Sequence, residues 1–156
     1  MTPGNPEVLN NAGMALLSLG DAPGAVRRYR EALRASPTYP LAHNNLATTL
    51  ASLGERESAI REYSEALRLK PDYAEAHANL GTALASAGQL QAAVAECREA
   101  VRFRPGSAES RERLGVRLAQ SGKLDEAIAE FQRALEVDPA SASARKHLEM
   151  ARRQRR

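Results

Sequence analysis

The chain has 156 residues, 22 Lys+Arg against 19 Asp+Glu, and is 43% hydrophobic and 26% charged, the balance of one water-soluble domain. The single cysteine, Cys97, excludes an intramolecular disulfide framework and a Cys-rich zinc site, and no apolar run reaches the roughly 18 residues of a membrane-spanning helix. The expectation is a cytoplasmic protein without a transmembrane segment.

Large apolar bulk is scarce, with no Trp, two Phe and four Tyr, whereas Ala occurs 30 times. Ala is the best helix former and packs closely, so the composition predicts an all-α fold. The net charge of +3 is localised: residues 145–156 hold six basic side chains and one acid, and the remainder sums to −2. A neutral body with a basic end lacks the basic, aromatic-interleaved face of a nucleic-acid binder.

Gly20, Gly54, Gly88 and Gly122 are spaced 34 residues apart, and so are Pro37, Pro71, Pro105 and Pro139. Ala25, Ala59, Ala93 and Ala127 keep the register, as do Ala32, Ala66, Ala100 and Ala134, and Leu16, Leu50, Leu84 and Leu118. A fixed period of this length marks a repeat architecture. After a tail at residues 1–5, the predicted repeats are 6–39, 40–73, 74–107 and 108–141, numbered here from position 1 at Pro6, Pro40, Ala74 and Ala108.

In each repeat, apolar residues at positions 4, 7, 8 and 11 predict a first helix, and those at 17, 20, 21, 24, 27 and 28 a second. Gly at position 15 and Pro at position 32 are the stop signals. In chain order the first repeat departs at position 7 (Ala12), the third at 24 (Cys97 for an aromatic) and the fourth at 4 (Arg111), where looser packing is expected. His43 and His77 share position 4 and read as packing histidines, with no third ligand nearby for a metal. Residues 142–156 form a basic capping helix and tail: Ala144 and Leu148 fall on core positions, but Arg152 interrupts the seam.

Leu, Gly or Ala, and Leu at positions 7, 8 and 11, with Ala, an aromatic, Ala and Pro at 20, 24, 27 and 32, resemble the tetratricopeptide repeat. The resemblance covers Pro6 to Ser141. It implies a right-handed alpha-alpha superhelix of four helix hairpins plus the capping helix, with first helices lining a concave groove. Residues 73–81 look most like the repeat variant in the arm of protein O-linked N-acetylglucosamine transferase.

By helical spacing, positions 2, 5 or 6, 9 and 13 lie opposite the core stripe. Position 6 reads Asn11, Asn45, Asn79 and Arg113. Amides repeated once per hairpin suit the backbone of an extended peptide, and Asn10, Asn44, Thr48, Thr82, Ser18, Ser52 and Ser86 extend the neutral polar lining. The alternative is that these amides satisfy local backbone or a neighbouring helix. Met14, Leu17 and Leu41 make the N-terminal end more apolar, either as an anchor for one ligand side chain, as a self-association face, or as ordinary packing. The carboxylate clamp of chaperone-binding relatives is not matched, since Glu75 and Glu109 stand where it needs Lys.

The reading is a non-catalytic protein-interaction module that binds an extended peptide of a protein partner, with no cofactor. The alternatives are a recognition arm for a separate glycosyltransferase or other enzyme, and a self-assembling structural module.

Overall fold

The computed structural model describes residues 4–155, and among these it contains nine helices and no strand. They are α1 (Pro6–Ser18), α2 (Ala22–Ala35), α3 (Pro40–Ser52), α4 (Arg56–Leu69), α5 (Ala74–Ser86), α6 (Leu90–Phe103), α7 (Ala108–Gln120), α8 (Leu124–Val137) and α9 (Ala142–Gln154). The fold class is all-α. Two compact bodies are distinguished, Met1–Ala76 and His77–Arg156, and the chain passes from one to the other within α5.

Each first helix ends in the same way. Gly20, Gly54, Gly88 and Gly122 have φ of +79° to +84°, which glycine adopts at no steric cost. Within each turn the glycine N–H donates to the carbonyl three residues back. The next residue's N–H reaches the position-11 leucine carbonyl at 2.9 Å, as in Asp21 to Leu16 and Lys123 to Leu118. This Schellman closure satisfies the last orphan carbonyls and turns the chain sharply into the second helix.

Position 8 lets the paired helices approach closely. A Cβ on Gly13 would lie 2.6 Å from the Tyr29 ring, and one on Gly115 would lie 2.6 Å from the Phe131 ring. The missing side chain is where the partner helix's aromatic sits. In the N-terminal body Tyr29, Leu46 and Leu50 are 1–2% exposed, and Ala25, Ala32, Ala42, Ala47, Ala59 and Ala66 are fully buried. In the C-terminal body the core gathers Val94, Cys97, Leu114, Leu118, Ile128, Phe131 and Leu148. Alanine at the interhelical contacts therefore replaces the bulk that the composition lacks.

Candidate peptide-binding face

Position 4 is more than packing. His43 Nδ1 lies 2.7 Å from Glu62 Oε2, and Nε2 lies 3.0 Å from the Pro37 carbonyl oxygen. An ionised carboxylate and a carbonyl only accept, so the protonated ring, with both nitrogens donating, is the form that satisfies both partners. Burial opposes the charge, but the hydrogen bonds that His43 donates to Glu62 and to the Pro37 carbonyl outweigh it, and the His43 pKa is raised above the usual histidine value. Arg111, at the same position, meets the same two partners: Glu130 at 3.2 Å and the Pro105 carbonyl at 3.1 Å. His77 likewise faces Glu96 at 2.7 Å. The expectation of looser packing at Arg111 is thus corrected, because position 4 is a cation site, and Arg111 fills it with a permanent charge.

The polar stripe divides into buried and accessible members. Asn10 and Asn44 are 0% and 1% exposed, which corrects the expectation that they line an open surface. Position 5 turns inward between neighbouring helices, where Asn10 Oδ1 accepts from Asn45 Nδ2 at 3.0 Å and Asn44 Nδ2 approaches Glu75 Oε1 at 3.5 Å. Asn45, Asn79, Thr82 and Arg113 are half-buried, while Asn11 and Thr48 are exposed.

The hydroxyls serve their own helices: Thr48 donates to the Asn44 carbonyl, Thr82 to Ala78, Ser18 to Ala15, Ser52 to Thr49 and Ser86 to Thr82. For these groups the local-backbone alternative describes what is found. Thr48 Oγ1 also lies 3.0 Å from the Tyr63 hydroxyl.

In the C-terminal body, position 6 bridges repeats through a charge. Arg113 donates to Asn79 Oδ1 at 3.0 Å and to Glu109 Oε1 at 2.7 Å. Beyond it, Arg117 Nη1 donates to Gln120 Oε1 at 2.7 Å, while Arg117 Nε is buried with no hydrogen-bond partner among the described residues.

Met14, Leu17 and Leu41 are 50%, 36% and 39% exposed. The structure also places an apolar cavity of about 250 Å³ in the C-terminal body, between α7, α8 and α9. Its walls include Val116, Ala119, Phe131 and Met150, and Gln120 and Gln154 form part of its lining. Val116 and Met150 hold position 9 of successive first helices, the row that begins with Met14. That row carried the signal, and reading α9 only as a polar cap hid it. Cys97 is fully buried, and burial pushes its thiol up to about 11, so it is a poor nucleophile at neutral pH. Among the described residues no group of three or more His, Cys, Asp or Glu side chains is placed to hold a metal ion. None of the described helices is long and apolar enough to cross a membrane.

Two family models match the sequence, one described as the tetratricopeptide repeat over residues 44–108 and one as the TPR repeat over residues 13–54 and 115–148. The chain is a tetratricopeptide-repeat protein. No curated protein matches its sequence. Among solved structures it is similar to the MamA fragment "41-end" from Desulfovibrio magneticus, at 22% identity over 99% of this chain and 88% of that one, with a TM-score of 0.88. It also matches PilF of Pseudomonas aeruginosa, at 23% identity over 96% and 68% of the two chains, with a TM-score of 0.88. A third neighbour, YrrB, is described as "a TPR protein with an unusual peptide-binding site" and matches at 24% identity over 94% and 76%, with a TM-score of 0.80. These likenesses fix the fold of the tetratricopeptide-repeat array.

Proposed function

We propose that this tetratricopeptide-repeat protein is a non-catalytic adaptor whose first helices hold an extended peptide of a partner protein. The position-6 side chains Asn11, Asn45, Asn79 and Arg113 provide the polar contacts in this reading. The observation that carries it is the state of Asn45. One amide N–H is spent on buried Asn10, which fixes the side chain, and the residue as a whole stays half-exposed. A fixed donor beside a fixed acceptor matches the alternating groups of an extended backbone, each such bond contributing roughly 0.5 to 1.5 kcal/mol net. The peptide-binding description of YrrB supports the same reading. A recognition arm for a separate glycosyltransferase has for support only the resemblance of residues 73–81.

The test is affinity capture from native lysate with wild-type, Asn11→Ala and Asn11→Ala/Asn45→Ala baits, with circular dichroism to confirm folding. Asn11 is exposed and its side chain makes no hydrogen bond among the described residues, so its truncation leaves the fold intact. The expected result is partners held by the wild type and shed progressively by the variants. Identical partner sets on all three folded baits would overturn the reading.

A further inference from the structure

We infer that the cavity between α7, α8 and α9 seats one bulky apolar side chain of the bound peptide, and that the peptide carries an acidic residue beside it. This rests on the reading that the first-helix face binds peptide. Four observations lead to it.

The first is size. At about 250 Å³ the cavity falls below the roughly 300–1,000 Å³ of small-molecule sites, yet it is open and lined mainly by Val116, Ala119, Phe131 and Met150. It suits one branched or aromatic side chain better than a cofactor. The second is adaptability at the mouth. Met150 is 48% exposed, and methionine reshapes to meet ligands of different contour.

The third is preorganisation. The His147 ring stacks on Phe131 at a centroid distance of 5.6 Å, and its Nδ1 lies 3.0 Å from Glu112 Oε1. Glu112 also accepts from the Ser143 hydroxyl at 2.9 Å. This wall is fixed before ligand arrives, which lowers the ordering cost of binding.

The fourth is charge. Gln120, in the cavity lining, accepts from Arg117, so a guanidinium stands one hydrogen bond from the cavity. Three carboxylates of α7 and α8 are already engaged: Glu112 by His147 and Ser143, Glu109 by Arg113, and Asp125 by Arg155 at 3.1 Å. A carboxylate on the ligand is the complementary partner, and a lysine there would be repelled.

The test is an array of ten-residue peptides in which a central Leu, Phe or Ala is combined with Asp, Ser or Lys at each neighbouring position. Binders are then titrated by fluorescence polarisation against wild type, Met150→Glu, Arg117→Gln and Asn45→Ala. Peptides with Leu or Phe beside Asp should bind best. Met150→Glu should weaken them at least tenfold, and Arg117→Gln should bring the Asp peptide to the level of its Ser counterpart. Central Ala binding as well as Leu, or Lys peptides binding best, would overturn the inference. Affinity lost in Asn45→Ala but untouched in folded Met150→Glu would sink the cavity assignment and leave the polar face standing. An array with no binder, or a concentration-dependent dimer abolished by Met150→Glu, would also reject it, the latter by naming a second copy as occupant.

Discussion

Repeats 2 and 4 of this chain solve one packing problem with two different cations, and repeat 3 shares the histidine version through His77 and Glu96. In the N-terminal body His43 ties the Pro37 carbonyl to Glu62; in the C-terminal body Arg111 ties the Pro105 carbonyl to Glu130. Repeat 1 supplies the control: Leu9 stands at position 4, and Arg28 rather than Glu at position 23. In the four full repeats cation and carboxylate thus occur together or not at all, and the pair fastens the connection between repeats to the second helix that follows; in the cap, Arg145 keeps only the carbonyl contact, to Pro139 at 2.9 Å. The two versions nonetheless differ in one respect. An imidazolium can release its proton when the environment turns against it, and a guanidinium cannot.

The largest expected effect comes from removing the carboxylate. Glu130→Gln strands the Arg111 charge, whose side chain is 18% exposed, and should cost about 3 kcal/mol, the low end for a broken buried ion pair. Glu62→Gln should cost only about 1 kcal/mol, because His43 can become neutral and still donate one hydrogen bond. Urea denaturation of both variants at neutral pH checks the difference. Equal losses would mean that the two pairs are energetically interchangeable and that proton release offers no relief.

The same contrast predicts a pH dependence at His43 that Arg111 lacks. The groups around His43 are Glu62 and Glu65 from α4, with Arg30 and Arg34 of α2 bordering the same surface cavity. Its folded pKa lies above the unfolded value of about 6.5. The stabilisation it gives is therefore fully present below about pH 6.5 and is lost as pH rises through the folded pKa. Denaturation midpoints measured from pH 5.5 to 8.5 should fall on the alkaline side in wild type, and His43→Arg, which installs the group found at position 111, should flatten that fall. A profile unchanged in His43→Arg would show that His43 is not the titrating group.

These pairs also mark where the sequence was legible. Helix hairpins follow from the 34-residue spacing of Gly, Pro, Ala and Leu, because helical period, left-handed turn and chain stop are local properties that single residues report. The position-4 cation was not read, since its partner lies 19 residues on, and a histidine on an apolar face looks the same whether packed or ion-paired. Asn10 and Asn44 were misplaced for a related reason. On an isolated helix they face away from the core, and only a neighbouring first helix buries them. The cavity by Met150 needed three helices at once, which periodicity along one cannot supply.

The smallest effect tests position 8 in repeats 4 and 2. Position 8 is Gly115 beside Phe131 in repeat 4, as it is Gly13 beside Tyr29 in repeat 1, but Ala47 in repeat 2, where the aromatic is Tyr63. Alanine is favoured over glycine in a helix by roughly 1 kcal/mol, so Gly115→Ala would stabilise if space allowed. Its Cβ would fall 2.6 to 3.0 Å from three Phe131 ring carbons, and Phe131 is 2% exposed and stacked on His147, so the ring has little room to yield. Overpacking of this kind costs about 1–3 kcal/mol, which leaves a net loss near 1 kcal/mol. The reverse change, Ala47→Gly, should also lose about 1 kcal/mol through helix propensity, since Ala47 is already accommodated. Thermal melts of the pair decide the point. A Gly115→Ala variant more stable than wild type would mean that the Phe131 ring moves freely, and the fixed wall of the α7–α9 cavity would then be lost as an argument for a preformed seat.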